Sequence, residues 1–376
     1  GSALARGVQR LPSSPSRVRC GNLCADRACV CLSRFSSTKG QVSDGSESAQ
    51  EFYGEEEVVQ TADAALRGFS DADRYLFDLN GFLLIRGVLS REEVRAASAA
   101  MDAHADTAHE RTGILRNTRL RTPLAGDGRS GRRDMGGMLE WDRPYSDVFR
   151  SLLAHPRLVP ALTALCGPGY RMDHMPLGLE QHQGSEGFAL HGGPLSSDGR
   201  FNPTLQYRCV GQDMFNSLLA VSVQLSDHNA GDGGFCVVRG SHKSNFPVPQ
   251  EFVDGGGVLG QDHVHQPVTE AGDVILFSEA TVHGALPWTA EHIRRVVLYR
   301  FAPANMSYSR AYSPQWPESM LAGLTEAERA VLEPPYAARL DRPTLKRGGD
   351  EIPDYGSPRP RVKKDFDLRV FGKRYF

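Results

Sequence analysis

Three segments of the chain hold side chains whose types and spacing could do chemistry. The first is Ala189-Leu190-His191-Gly192-Gly193. The second runs from Gly231 to Lys243 and ends Arg239-Gly240-Ser241-His242-Lys243. The third, Ala271-Gly272-Asp273-Val274-Ile275-Leu276-Phe277, leads into His283 and then Arg294. A neutral imidazole is a metal donor, and a guanidinium pairs with a carboxylate through two parallel hydrogen bonds. His191, His283 and Arg294 are therefore the leading candidates for metal and anion binding. The two histidines belong to different strand candidates, so only a β fold brings them together.

Other candidates have plainer readings. His242 in Gly-Ser-His-Lys reads as a hydrogen-bonded turn residue. His263 and His265 stand two apart, as strand ligands would, but in an expected loop, and read as exposed. Glu180 and His182 share that spacing and make a weaker carboxylate–imidazole pair. His104 and His109 are expected on one surface helix, five apart, which is the wrong interval for one face. Asp232 and Asp273 lie in glycine-flanked turns, where they would cap backbone amides. Trp288 reads as a packed core or rim residue. The basic segment Arg111 to Arg133, with Arg119, Arg121, Arg129, Arg132 and Arg133, reads as a long loop or lid, suited to an anionic substrate or simply solvated.

The elements that must position these residues show in the pattern. Gly81-Phe82-Leu83-Leu84-Ile85 reads as a first strand. Ser90 and Glu93 form a capping box that starts a helix through Val94 to Ala103. A second helix is expected over Pro156 to Leu165. From Gly187 the pattern turns to β, with strands over Phe188–His191, Leu218–Leu225, Phe235–Val238, Val274–Phe277 and Arg295–Phe301, separated by Gly-, Pro- or Asp-rich turns. Thr325-Glu326-Ala327-Glu328 is a second capping box, ahead of Pro334-Pro335.

This ordered series resembles the phytanoyl-CoA dioxygenase family of Fe(II)/2-oxoglutarate-dependent oxygenases. The likeness comprises the early Gly-Phe strand and capped helix, the Gly-Gly…Gly-Ser-His-Lys turn with Arg239 where the family has proline, the Gly-Asp-apolar-Phe strand, the distal His283 and Arg294 eleven residues beyond it. It runs from about Phe77 to Pro303, and the segment near Leu332 resembles one subgroup. It implies a mainly β fold with flanking helices, a double-stranded β-helix of the jelly-roll, cupin-like kind. It also implies Fe(II) held by His191 and His283, with Arg294 on the distal carboxylate of 2-oxoglutarate. Tyr207, Gln206 and Asn216 lie on or near strand segments after His191, where one of them could hydrogen-bond that co-substrate; an ordinary buried polar side chain is the equal alternative. The reaction implied is decarboxylation of 2-oxoglutarate to succinate, coupled to attack on an unactivated aliphatic carbon. Iron(II) suits two imidazoles and one carboxylate on one face, with positions left for co-substrate and dioxygen.

The departure is Gly193. In a His-x-Asp motif the carboxylate stands there, on the same strand face as the histidine, and glycine cannot ligate. Three explanations stand open. A chloride fills the gap, as in aliphatic halogenases with Gly or Ala at this position. Another acid fills it, with Asp198, Asp213, Glu180 and Asp173 near in sequence. Or the chemistry is lost, and the domain serves as a binding or structural subunit of an assembly.

Length, at 376 residues with 40% hydrophobic, is ample for one large domain. A net charge of −2 gives no reason to expect nucleic acid as partner, and no apolar run reaches the roughly 18 residues of a membrane-spanning helix. The expected partner is a small-molecule substrate, anionic or lipid-derived. Residues 1–40 are rich in Arg and Ser, the composition of a transit peptide, with mitochondrion expected and plastid the alternative. Residues 41–63 read as an acidic linker, and 64–376 as the double-stranded β-helix domain with a C-terminal helical extension. Cys20, Cys24, Cys29 and Cys31 have spacing too irregular to favour zinc.

Overall fold

The computed structural model describes residues 68–118, 121–255, 263–308, 316–335 and 361–372. The leader, the acidic linker, the four N-terminal cysteines and Arg119 lie outside the described residues.

The strands, in chain order, are β1 (Phe82–Ile85), β2 (His109–Glu110), β3 (Arg133–Met135), β4 (Arg171–Gln181), β5 (Phe188–His191), β6 (Tyr207–Val210), β7 (Asp213–Asn216), β8 (Leu219–Gln224), β9 (Gly234–Val238), β10 (Val264–His265), β11 (Val274–Ser278), β12 (His283–Leu286) and β13 (Arg294–Ala302). A large sheet has the order β1-β11-β8-β13-β4-β3-β2, a smaller one β10-β9-β12-β5, and β6-β7 form a separate hairpin. Every recorded pairing is antiparallel. This is the expected double-stranded β-helix, two sheets facing one another over a shared interior.

Alternation along the strands divides the interior into two parts. On β11, Val274 and Leu276 join the cluster that packs helices onto the outer face of the large sheet, together with Val221, Val223, Val297, Tyr299 and Phe301. Ile275 and Phe277 point the other way and meet Phe235 and Val237 of the small sheet. On β13 the same alternation turns Arg294, Val296, Leu298 and Arg300 toward a cavity between the sheets.

Helix α1 (Asp71–Asn80) starts at a Ser70/Asp73 capping box, and α2 (Arg91–Ala103) at the expected Ser90/Glu93 box. Burial of Phe77, Ala97, Ala100 and Met101 seats both on the outer face. The helix expected over Pro156–Leu165 is Val159–Cys166, and Thr325 caps Glu326–Val331 as expected.

Several expectations need correction. β4 is the longest strand of the large sheet, yet its charges and Pro176 mask the β pattern. His104 and His109 do not share a helix: α2 ends at Ala103, His104 stacks on Trp141 with ring centroids 4.0 Å apart, and His109 belongs to β2. His265 sits in β10 and bonds Arg239, while His263 is exposed. The described parts of the 111–133 segment are fastened to the barrel rather than free, because Arg116 pairs with buried Glu186 at 3.2 Å and the Asp127 amide donates to the Gly184 carbonyl at 2.9 Å.

The Gly-Ser-His-Lys turn is structural. His242 donates from Nε2 to the Asp78 carbonyl at 3.0 Å, and Lys243 pairs with the Asp78 carboxylate. Burial, helped by the Lys243 charge, pushes the His242 imidazole down to about 4. The native state therefore resists a proton that the unfolded chain accepts at its ordinary value. Stability from this group is complete above roughly pH 6.5 and declines as pH falls toward 4. Its share of the loss between pH 7 and 5 is about 2 kcal/mol. The thermal midpoint should fall over that range, and His242→Gln should flatten the slope; an unchanged slope would show that other groups carry it.

Candidate metal centre

His191 ends β5 and His283 begins β12, and the two are directly paired across the antiparallel ladder. Directly opposed residues project to the same face, and the ring centroids are 4.2 Å apart. Each Nδ1 lies against a backbone carbonyl: His191 against Ala189 O at 2.9 Å and His283 against Thr281 O at 2.7 Å. Those contacts place the proton on Nδ1 and leave Nε2 as the lone-pair donor. Burial lowers both imidazoles, His283 to about 3 with further help from its neighbour His191. Both are neutral near pH 7, as metal ligands must be.

A carboxylate does reach this pair, and it belongs to Glu279. It directly follows β11, in the short connection that crosses from the large sheet to β12 in the small one. Donor atoms of His191, Glu279 and His283 all lie within 4.8 Å of one another. Glu279 Oε2 stands 3.6 Å from His283 Nε2, while Oε1 accepts from Arg300 Nε at 2.6 Å. Burial alone would raise this carboxyl; the Arg300 guanidinium and the two imidazoles outweigh it and hold it below its usual value. The connection is anchored by Glu279 N on Leu218 O and by Thr281 Oγ1 on Gly81 O. One carboxylate oxygen is thus fixed and the other left facing the imidazoles, a donor set suited to a divalent first-row metal.

None of the four acids considered from sequence reaches this centre. Asp198 is exposed and bonds Ser196 and Arg200; Asp213 is exposed on β7; Asp173 is buried against Arg171 and His174; Glu180 pairs with Arg133 and Arg295. The usable signal was an acid directly after a fully buried apolar strand and four residues before a candidate histidine. Gly193 carries no carboxylate for a backbone reason. Gly192 and Gly193 have φ of +97° and +95°, a region that L side chains rarely adopt, and a Cβ at Gly192 would overlap the Thr281 carbonyl oxygen. The chain turns away after His191 instead of continuing as a strand.

Arg294 projects from β13 into the cavity, only 3% exposed. Its Nη1 donates to Gln181 Oε1 at 2.6 Å, and its Nε has no partner. Gly234 leaves it room, since an added Cβ would come within 2.7 Å of Nε. Burial, and then the charge of Arg132, lower it to about 10, so it stays charged near pH 7. A buried cation with an unpaired donor calls for an anionic partner. Tyr207 and Asn216, considered as co-substrate contacts, do not line the cavity. Tyr207 donates to Asp78 at 2.6 Å and Asn216 to the Leu165 carbonyl at 2.8 Å, because the β6-β7 hairpin packs toward α1 and Val159–Cys166. Trp288 is fully buried and bonds the His292 carbonyl, a packing residue.

A model of the phytanoyl-CoA dioxygenase (PhyH) family matches residues 77–296. The chain belongs to this family. Its class is that of the non-haem iron, 2-oxoglutarate-dependent enzymes, and the matched span contains the candidate site up to Arg294 but not Arg300. No curated protein matches the chain. Among solved structures it is similar to HygX from Streptomyces hygroscopicus with nickel and 2-oxoglutarate bound, at 24% identity over 64% of this chain and 90% of that one, TM-score 0.51. HygX with iron bound is similar at 23% identity over 65% and 90%, TM-score 0.50. At that identity the likeness is one of fold.

If Glu279 is the third donor, Glu279→Ala should weaken Ni(II) binding by at least about 100-fold, more than the loss of an outer-shell partner costs. Asp198→Ala should leave it unchanged. Calorimetric titration of the metal-free protein reads both, and equal affinities for wild type and Glu279→Ala would remove Glu279 from the donor set.

Proposed function

We propose that this protein is an Fe(II)/2-oxoglutarate-dependent oxygenase acting on an aliphatic carbon, with His191, Glu279 and His283 holding the iron and Arg294 binding the distal carboxylate of the co-substrate. The observation that carries this reading is the convergence of the Glu279 carboxylate on the His191–His283 pair. When bound, iron and 2-oxoglutarate would supply dioxygen activation coupled to decarboxylation, the chemistry of the family. HygX, with iron or with nickel and 2-oxoglutarate in its structures, is consistent with such cofactors on this fold.

The chain's own residues do the positioning. The Ala189 and Thr281 carbonyls set both imidazole tautomers. Arg300 orients Glu279 and neutralises part of its charge. Gln181, whose Nε2 donates to the Glu186 carbonyl at 2.6 Å, presents Oε1 to Arg294 and so fixes the guanidinium. Leu177, Leu179, Val296 and Leu298 give the cavity apolar walls, against which an aliphatic substrate carbon would lie.

Hydroxylation is favoured over halogenation, because with a carboxylate in the donor set the centre does not depend on a halide for its negative charge. An anaerobic titration with Fe(II) and 2-oxoglutarate should develop the visible metal-to-ligand charge-transfer band, unaltered by chloride. Glu279→Ala should lose that band. Adding Gly193→Asp to Glu279→Ala should not restore it, since the backbone at 193 is left-handed. A wild-type band that shifts with chloride would overturn the hydroxylase reading in favour of a halogenase. Absence of any band would favour a binding role.

A further inference from the structure

We propose that the cavity contains a second oxyanion subsite, at Arg111 and Arg132, and that the primary substrate carries a carboxylate or phosphate group bound there. This rests on the reading above, in which Arg294 is committed to 2-oxoglutarate.

Arg111 and Arg132 line the same cavity as His191, His283 and Arg294. They face each other across the arm that extends β2 and β3, with Arg111 N donating to Arg132 O at 2.8 Å, so their side chains share a face. Both guanidinium groups rest on one carboxylate. Asp134 Oδ2 accepts from Arg111 Nε at 2.6 Å and from Arg132 Nη2 at 3.2 Å, while Oδ1 accepts from Arg132 Nε at 2.7 Å. The other partner of Arg111 is the neutral amide of Asn117. Nearby Glu186 is already engaged by Arg116, Thr118 and the Asn117 amide.

Asp134 is the carboxylate on which both guanidinium groups rest; Glu110 is turned to the Gly131 amide, from which it accepts at 2.7 Å. The remaining charges of the site are directed elsewhere. Glu279 answers Arg300, and 2-oxoglutarate would spend one carboxylate on the metal and the other on Arg294. Two largely buried guanidinium groups that share one carboxylate and line the cavity favour a substrate that brings a negative group.

Phe188 links the subsite to the metal donors. Its ring centroid is 4.6 Å from that of His191, and the Arg132 guanidinium lies over the same ring at 5.5 Å. An anion on Arg132 thus holds its attached carbon skeleton one aromatic side chain from the metal donors, against apolar walls. The cavity volume is about 240 Å³, below the roughly 300–1,000 Å³ of pockets for drug-sized ligands. The substrate end that enters is compact: an oxyanion head on a short aliphatic body.

The test uses the full chain, loaded anaerobically with Fe(II) and saturated with 2-oxoglutarate so that Arg294 is occupied. Inorganic phosphate and hexanoate are then titrated in separate arms by calorimetry. The expected result is that wild type binds one of them, with affinity reduced at least about tenfold in Arg132→Gln and in Arg111→Gln, as loss of a charged hydrogen bond implies. Phosphate binding would assign a phosphate ester and hexanoate binding a carboxylic acid. Arg132 is buried, so Arg111→Gln, with a side chain 34% exposed, is the variant that disturbs the fold least. Binding of neither anion to the 2-oxoglutarate complex, or equal binding in both variants, would overturn the subsite. The 2-oxoglutarate isotherm is recorded separately in every protein, so its failure in wild type marks failure of the cofactor reading and not of the subsite.

Discussion

The pairing of His191 with His283 across the β5–β12 ladder is the constraint on which the site depends. Two imidazoles on opposed antiparallel positions must project together, and their Nδ1 contacts with carbonyls on their own strand ends fix both tautomers. The pairing needs β12 between β9 and β5 in the small sheet, and hence the crossing from β11 in the large one. The turn Glu279–Val282 that makes this crossing also delivers the carboxylate. Strand exchange between sheets and completion of the donor set are consequences of one short connection.

Arg300 ties that connection to the opposite side of the barrel. It lies on β13, on the inward face shared with Arg294, and takes one oxygen of Glu279. Buried carboxylates are costly unless paired and hydrogen-bonded, and this pair has a further effect, since it leaves the second oxygen directed at the imidazoles. The same strand thus supplies the group that orients the acid and, six positions earlier on the same face, the buried cation Arg294.

Charge organises the remaining cavity. Four arginines face it, with Asp134 and Glu279 as their direct carboxylate partners, while its walls are aliphatic and aromatic. Arginine keeps its charge under burial better than any other side chain. The planar fork of each guanidinium makes its pairing with a carboxylate geometric as well as electrostatic.

Much of this was legible in the residues alone. Apolar runs bounded by turn residues revealed β1, β5, β8, β9, β11 and β13, the capping boxes marked the helix starts, and motif order pointed to His191, His283 and Arg294. These signals are local or depend on order, so a linear reading can see them. Other features required the folded chain. β4 hid behind its own charges because its partners, not its composition, make it a strand. Tyr207 and Asn216 looked well placed along the sequence, but their hairpin leaves the barrel and spends both side chains elsewhere. Sequence proximity to His191 directed attention to Asp198, Asp213, Glu180 and Asp173, whereas the carboxylate that stands beside the two imidazoles lies 88 residues beyond His191, at Glu279. By itself the sequence determined that a carboxylate was missing from position 193. Only the tertiary structure decided which carboxylate stands beside the two imidazoles, because proximity across two facing sheets is set by pairing register and by the turn between them, not by distance along the chain.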